Sequence, residues 1–198
     1  MNRPLVIAGV ALLALAWLGP LPALVRDSFA AHMMLHMTVV GIGVPLVAIG
    51  LASHSAGTFQ GLVWAIAVSV LDLIVVRGWH TPYLHHLSRT EPIALAIEQA
   101  SFAGVALLVW LIAFSGPALA GAITLFFTSM HMTLLGALIG LATRPVYPGH
   151  DHRGGWLGLD PIDDQHIGGV IMLTIGSVVY LGGGLVLAGR ALHQRTVS

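Results

Sequence analysis

A short histidine- and methionine-rich segment holds the residue types in this chain that are best suited to bind a metal. Residues 32–37 read HMMLHM and begin an apolar run that continues to Leu51. His32 and His36 are four residues apart, so on a helix they lie on one face, one turn from each other. Polar side chains inside a hydrophobic helix often mark functional sites, and imidazole with thioether is a ligand set that suits copper. The alternative is that these residues only hydrogen-bond to neighbouring helices and fill gaps.

The composition identifies an integral membrane protein. The chain has 198 residues, of which 57% are hydrophobic and 8% charged, and its mean hydropathy is +0.90. Soluble domains carry about 25% charged residues. The chain has no cysteine, which excludes disulfides and thiolate metal sites. The 8 basic residues, all arginine, balance the 8 acidic residues, so nucleic acid is not predicted as a partner. The 11 histidines outnumber the 8 basic and the 8 acidic residues, which is unusual in a chain with so few ionisable groups.

Six apolar runs are each close to the roughly 20 residues that a membrane-spanning helix needs. We therefore predict an all-α, polytopic membrane protein whose six transmembrane helices form a single bundle domain. The predicted spans are residues 4–24, 28–51, 57–76, 92–114, 117–141 and 162–188. The first run follows Arg3 and resembles a signal peptide, but it is long for one, and we interpret it as a retained span. Pro45 predicts a kink within the second span.

The loops differ in character on the two sides of this bundle. Those after the first, third and fifth spans carry five of the seven histidines outside the predicted spans and all four of the acidic residues outside them, and we call this the histidine side. The other side carries the two short loops and both termini. A count of basic residues favours a cytoplasmic histidine side, whereas Arg3 before the first span favours the opposite orientation. We predict that both termini are cytoplasmic and that the histidine side faces outward.

Depth estimates place polar side chains from five spans in the half of the membrane next to the histidine side. At 1.5 Å per residue, His36 lies about 12 Å and His131 about 15 Å from that side. Glu98, Asp72 and His166 lie nearer to it. Because scattered solvating residues would not select one half of the membrane, these positions predict a convergent intramembrane site.

The candidate residues fall into two groups. The predicted metal ligands are histidines of the spans and of the loop after span three: His32, His36, His131 and His80. The predicted supporting residues are polar or thioether side chains of the spans: Met37, Asp72, Glu98, Asp164, Gln165 and His166. Asp164 has two interpretations, as an N-cap of its own helix or as a partner or ligand facing His32 and His36, and we favour the second.

The loops contain further histidines that are weaker candidates for metal ligands. They are His85, His86, His150 and His152. Because they fall in predicted polar loops, solvation is the more ordinary interpretation of each.

Several motifs, in the right order, resemble the CtaG family of cytochrome c oxidase assembly factors, the multi-span membrane type. The matching segments are residues 32–37 with Pro45-Leu46 (HMxxHM…PL), residues 79–83 (similar to W-H-x-P-x-Y), residues 98–102 (E-H-x-S-F) and residues 163–172 (D-Q-x-x-G-G-x-x-M). Gln99 stands where the family pattern has histidine, and the chain is short for the family.

The resemblance implies assembly of a haem–copper oxidase in the plasma membrane of a bacterium or archaeon. It implies copper as the bound metal and, as partners, cytochrome c oxidase subunits and the lipid bilayer. Two alternatives stay open: haem between His36 and His131, and a proton or ion pathway through Asp72, Glu98 and His131. No nucleophile–base–orienter set is evident, so an enzyme is not predicted. No oligomeric state is predicted.

Overall fold

The computed structural model describes residues 1–52, 61–147 and 158–197. Within these ranges the regular structure is helical, with no strand, and six segments are long and apolar enough to cross a membrane. In chain order, spans one to six are Arg3–Leu24, Phe29–Leu51, Leu62–Trp79, Pro92–Ser115, Ala118–Gly140 and Pro161–Gln194. The prediction of an all-α membrane protein with six spanning helices is confirmed.

The described ranges contain ten α-helices, nine of which build the spans, while a short one lies between spans three and four. These are α1 (Arg3–Leu18), α2 (Leu21–Leu24), α3 (Phe29–Thr38), α4 (Val44–Leu51), α5 (Leu62–Trp79), α6 (Pro82–Thr90), α7 (Pro92–Ser115), α8 (Ala118–Gly140), α9 (Pro161–Gly176) and α10 (Gly182–Val197). The last helix continues nine residues beyond the predicted end at Ala188. Gly189 is tolerated within it, and the good helix formers at positions 190–192 follow. The predicted start of span three, Gly57, lies outside the described residues.

Spans two and six each contain one π-helical turn. Val39–Gly43 joins α3 to α4, and Ser177–Leu181 joins α9 to α10. Pro45 follows the first of these turns, and its ring would clash with the carbonyl four residues earlier in a regular helix. The wider turn accommodates this mismatch. The structure therefore has a π-helical turn where the sequence predicted a kink. The Tyr180 hydroxyl donates to the Val40 carbonyl at 2.9 Å, so the two π-helical turns are in contact.

Two adjacent glycines allow span six to approach two different neighbours. A Cβ at Gly169 would lie 2.5 Å from the backbone nitrogen of Gly140, so spans five and six meet backbone to backbone. A Cβ at Gly168 would overlap the ring of Phe29 in span two. Small residues permit such close approaches between membrane helices. Span two therefore packs against span six next to the segment that carries His32 and His36.

Helix α6 occupies a region that the sequence suggested was a polar loop. Pro82 begins it, at a position where proline is favoured. Its buried residues are His85, Ser88 and Arg89, while His86 faces outward. Arg89 donates to the carbonyl of Arg26 at 3.0 Å, which attaches α6 to the loop between spans one and two. The helix thereby holds His85 against span two.

Candidate metal centre

His32 of span two and Glu98 of span four form the middle of a buried polar cluster. Glu98 Oε2 lies 3.0 Å from His32 Nε2, and Glu98 Oε1 lies 3.6 Å from His36 Nε2. His32 and Glu98 are fully buried, and His36 is 2% exposed. Burying an isolated carboxylate is costly, because its hydration is lost. The two imidazoles offset part of this lost hydration of the Glu98 carboxylate.

His85 of α6 completes a group with the geometry of a metal site. Its ring stacks on that of His32 with centroids 4.7 Å apart. One potential ligand atom each from His32, His85 and Glu98 lie within 4.8 Å of one another. In a tetrahedral site with bonds of 2.0–2.1 Å, ligand atoms lie about 3.3–3.4 Å apart. Small side-chain movements would therefore bring these three onto one ion.

The cluster contains buried polar atoms that have no hydrogen-bond partner among the described residues. They are His32 Nδ1, His36 Nε2 and Glu98 Oε1. Each such atom costs about 1–3 kcal/mol, and proteins retain them mainly where function or an additional ligand requires it. Two of them are acceptors, Glu98 Oε1 and the Nδ1 of His32, whose Nε2 faces the carboxylate, and these two favour a ligand that is a cation.

Gln99 determines the tautomer of His36. The Gln99 side-chain oxygen accepts a hydrogen bond from Trp17 Nε1 at 3.3 Å, so the amide nitrogen faces His36 Nδ1, at 2.8 Å. That nitrogen donates, and Nδ1 must accept. Neutral His36 then carries its proton on Nε2, on the side of Glu98. In this arrangement His36 presents an N–H group towards Glu98 Oε1, 3.6 Å away, rather than a lone pair to a metal, which does not favour the predicted ligand role.

His80 has the opposite tautomer and a free lone pair. It follows span three directly, and its Nδ1 donates to the Val76 carbonyl at 2.7 Å. Nε2 therefore carries the lone pair, and it is buried with no hydrogen-bond partner among the described residues. Burial, together with the nearby His36, lowers the pKa of His80 to about 4. His80 is therefore neutral at pH 7, as a metal ligand must be.

His131 lies in a separate pair and not with the histidines of span two. Its Nε2 is 3.0 Å from Asp72 Oδ2, which also accepts a hydrogen bond from Thr128 Oγ1 at 2.9 Å. Spans three and five thus enclose an imidazole–carboxylate pair of their own. The estimated depth of His131 did not specify which helix would be its neighbour, so the sequence could not separate this pair from the group around His32.

Asp164 caps a helix, but the helix belongs to span two. Its Oδ1 accepts from Ser28 Oγ at 2.7 Å, and its Oδ2 accepts from the Phe29 backbone nitrogen at 2.5 Å. Oδ1 also lies 3.3 Å from the Ala30 nitrogen. These hydrogen bonds differ from both interpretations of the sequence, since those described for Asp164 go neither to its own helix, whose N-cap position is Asp160, nor to an imidazole. Asp164 fixes the start of the helix that carries His32.

Gln165 and His166 hold the loop after span five. Gln165 accepts from the Val146 nitrogen at 2.6 Å and donates to the Ile139 carbonyl at 3.2 Å. His166 Nε2 donates to the Ala142 carbonyl at 2.9 Å. Gln165 and His166 thus hydrogen-bond to backbone atoms at and after the end of span five, and these hydrogen bonds do not reach a candidate ligand.

Tyr147, at the end of the same loop, covers the cluster. Its ring centroid is 4.2 Å from that of His85 and 5.0 Å from that of Phe29. Its hydroxyl donates to the His80 carbonyl at 3.0 Å, and burial raises the pKa of Tyr147, which keeps it a donor. The loop candidates His150 and His152 lie outside the described residues.

His85 and Gln99 are the functional candidates that the sequence undervalued. His85, Ser88 and Arg89 are spaced i, i+3, i+4 after a proline, which is the pattern of one buried face on a short helix. Applied to residues 82–90, that pattern would have identified α6 and moved His85 from a loop to a packed position.

The fold and this cluster together define a six-span membrane protein with a buried histidine–carboxylate centre. The model of a protein family described as cytochrome c oxidase caa3 assembly factor (Caa3_CtaG) matches residues 5–194. The chain therefore belongs to this family, which confirms the resemblance seen in its motifs. No curated protein and no solved structure matches the chain.

Proposed function

We propose that this assembly factor binds copper inside the membrane at His32, His85 and Glu98 and holds it for insertion into cytochrome c oxidase. The observation that carries the proposal is the grouping of these three buried ligands within 4.8 Å. The family supplies the oxidase as the client. Because the copper is transferred to the oxidase, the site must both bind and release it.

The donor set agrees with copper as the cargo. Two imidazoles and a carboxylate suit Cu(II), which such sites bind more tightly than the other common divalent metals. The chain has no thiolate that would hold the ion more firmly. The Glu98 charge offsets part of the charge of the ion in a region where hydration is absent. A site of moderate affinity results, which is what delivery requires.

The geometry gives less support to the two alternatives. The cavity next to His36 has a volume of about 10 Å³, whereas cofactor pockets are typically about 300–1,000 Å³. His131 is bound to Asp72, so it does not face His36 across a haem-sized space. Residues 103–114 and 118–127, in the halves of spans four and five next to the termini, are almost wholly apolar, so they offer no polar file for a proton or ion pathway.

The test compares two neighbouring histidines of α6. Copper(II) affinity is measured on the purified protein in detergent for the wild type, His85→Gln and His86→Gln. His85 is buried in the cluster, whereas His86 is exposed on the same helix. We expect H85Q to weaken binding at least about tenfold, because a direct ligand contributes no less than an outer partner, and H86Q to match the wild type.

Glu98→Gln provides an independent variant of nearly identical shape, and thermal unfolding in detergent establishes that each variant is folded. Oxidase maturation in cells that depend on this protein is measured alongside, as the copper content and activity of the oxidase. Wild-type copper affinity in both folded H85Q and folded E98Q would show that the proposed ligands are wrong. Lost affinity with normal oxidase maturation would show that the site does not serve delivery.

A further inference from the structure

Three methionines from three spans meet around a small cavity beside the histidine–carboxylate cluster. Met37 lies on span two, Met132 on span five and Met172 on span six, and they are 2%, 3% and 1% exposed. All three line a cavity of about 10 Å³, together with His80 and Asp72. A space of this size holds about one water molecule or one ion.

An imidazole lone pair is available at the same cavity. His80 Nδ1 is committed to the Val76 carbonyl, so Nε2 is unprotonated, and Nε2 is buried without a hydrogen-bond partner among the described residues. His80 as a whole is 9% exposed. A buried acceptor that no donor satisfies is unusual. A cation in the cavity would satisfy it.

The carboxylate at this cavity provides negative charge without filling the space. Asp72 Oδ2 is held by Thr128 and His131. The bonds fix the carboxylate at the wall, where it lowers the cost of bringing a positive ion into a region with little water. His131 and Thr128 thus position Asp72 rather than contact the ion.

The two π-helical turns shape the cavity. Met37 precedes the turn Val39–Gly43, and Val40 and Tyr180, which are joined by a hydrogen bond, line the space between spans two and six. Turns of this kind are frequent at functional sites, because they displace side chains from the positions of a regular helix. The three methionines that line this space have flexible side chains, which can adjust to an ion within it.

We propose that this cavity is a second metal site, specific for a soft monovalent cation such as Cu(I), with Met37, Met132, Met172 and His80 as its ligands. Thioethers and imidazole favour Cu(I) over the harder divalent ions. The His32–His85–Glu98 group has no sulfur ligand and includes a carboxylate as a direct ligand. The two sites therefore differ in the ion that they prefer. The ligands of the second site are distinct, and its existence does not depend on the proposed function.

The experiment uses Ag(I) as a redox-stable probe for a soft monovalent ion. Binding to the full-length protein in detergent is measured for the wild type, Met132→Leu, Met172→Leu and Met130→Leu. Leucine replaces methionine at nearly equal volume. Met130 is the matched control, because it lies on the same helix as Met132 but is 60% exposed. We expect M132L and M172L each to weaken Ag(I) binding at least about tenfold and M130L to leave it unchanged.

X-ray absorption of the Cu(I)-loaded protein gives a second readout. A sulfur shell is expected in the wild type and in M130L and is expected to diminish in M132L. Equal Ag(I) affinity in folded M132L, M172L and M130L, or a Cu(I) spectrum without sulfur, would overturn the inference. Glu98→Gln separates the two sites, since it is expected to lose Cu(II) but keep Ag(I). If E98Q kept both ions, the proposed function would fail while the thioether site would stand.

Discussion

The carboxylate of Asp164 in span six accepts a 2.5 Å hydrogen bond from the backbone nitrogen of Phe29 and a 2.7 Å hydrogen bond from the Ser28 hydroxyl in span two. A side chain on the last span thus caps the helix that carries His32 and His36. Helix N-termini favour negative charge, because four backbone N–H groups there lack partners within the helix. The contact joins residues 136 positions apart and fixes span two against span six.

Asp164→Asn is expected to destabilise the fold rather than the metal centre. Asparagine has one acceptor oxygen, and its amide would point N–H groups at the donors of α3. The loss is expected to be about 1–3 kcal/mol, seen as a lower unfolding temperature in detergent. The exposed neighbour variant Asp163→Asn is the control, and it should unfold like the wild type. Unchanged stability of D164N together with weakened copper(II) binding would instead make Asp164 part of the metal centre.

Gly168→Ala is expected to destabilise the packing around the histidine–carboxylate cluster, although Gly168 is not one of its ligands. The new Cβ would overlap the ring of Phe29, which is 1% exposed and packs against His85 and Tyr147. Overpacking of this kind costs about 1–3 kcal/mol, and thermal unfolding measures it. Gly104→Ala is the matched control, because a Cβ at Gly104 meets no atom within 4 Å. If both variants unfolded at the same temperature, span six would not pack as described.

Gln99→Glu is expected to change the tautomer of His36. A carboxylate can accept from both Trp17 Nε1 and His36 Nδ1, so the proton of His36 moves to Nδ1 and Nε2 gains a lone pair on the side of Glu98. We expect about tenfold tighter copper(II) binding, the scale of outer-shell effects. Gln99→Leu removes both hydrogen bonds and serves as the comparison. Weaker copper binding in a folded Q99E protein would contradict the assigned orientation of the amide.

The sequence predicted the helices well and their contacts only in part. Apolar runs of about 20 residues specify spans, and the predicted fourth and fifth spans differ by one residue at most at each end from Pro92–Ser115 and Ala118–Gly140. The sequence placed Glu98 in the same half of the membrane as His36, and in the structure it lies against His32 and His36. Depth does not specify neighbours, however, and so the pairing of His131 with Asp72 and the capping of span two by Asp164 were not foreseen.

Short amphipathic and π-helical segments were the other features that the sequence did not reveal. Residues 82–90 are too short and too polar to stand out beside the spans, so His85 was assigned to a loop. The π-helical turns at Val39–Gly43 and Ser177–Leu181 arise from packing and from Pro45, since a single-turn change of helix type leaves little trace in hydrophobic periodicity. The π-helical turns line the small cavity, and α6 supplies His85 to the candidate metal centre.

The orientation of the bundle remains a prediction that single cysteines can test. The native chain has no cysteine, so an introduced thiol is the only one. Tyr83→Cys places it on the exposed face of α6, where Tyr83 is 75% exposed, and Asn2→Cys places it at the amino terminus. A membrane-impermeant maleimide added to intact cells should label Y83C and spare N2C, because the histidine side is predicted to face outward. The reverse pattern would invert the predicted orientation.

If His32, His85 and Glu98 bind one copper ion, two nitrogen atoms coordinate that ion, and spectroscopy can count them. Electron paramagnetic resonance of the Cu(II)-loaded protein resolves coupling to directly bound imidazole nitrogens. The proposed group contains two histidines, so the wild type and His86→Gln should show two such nitrogens and His85→Gln should show one. The same nitrogen count in H85Q as in the wild type, in a folded protein with full copper occupancy, would contradict the account.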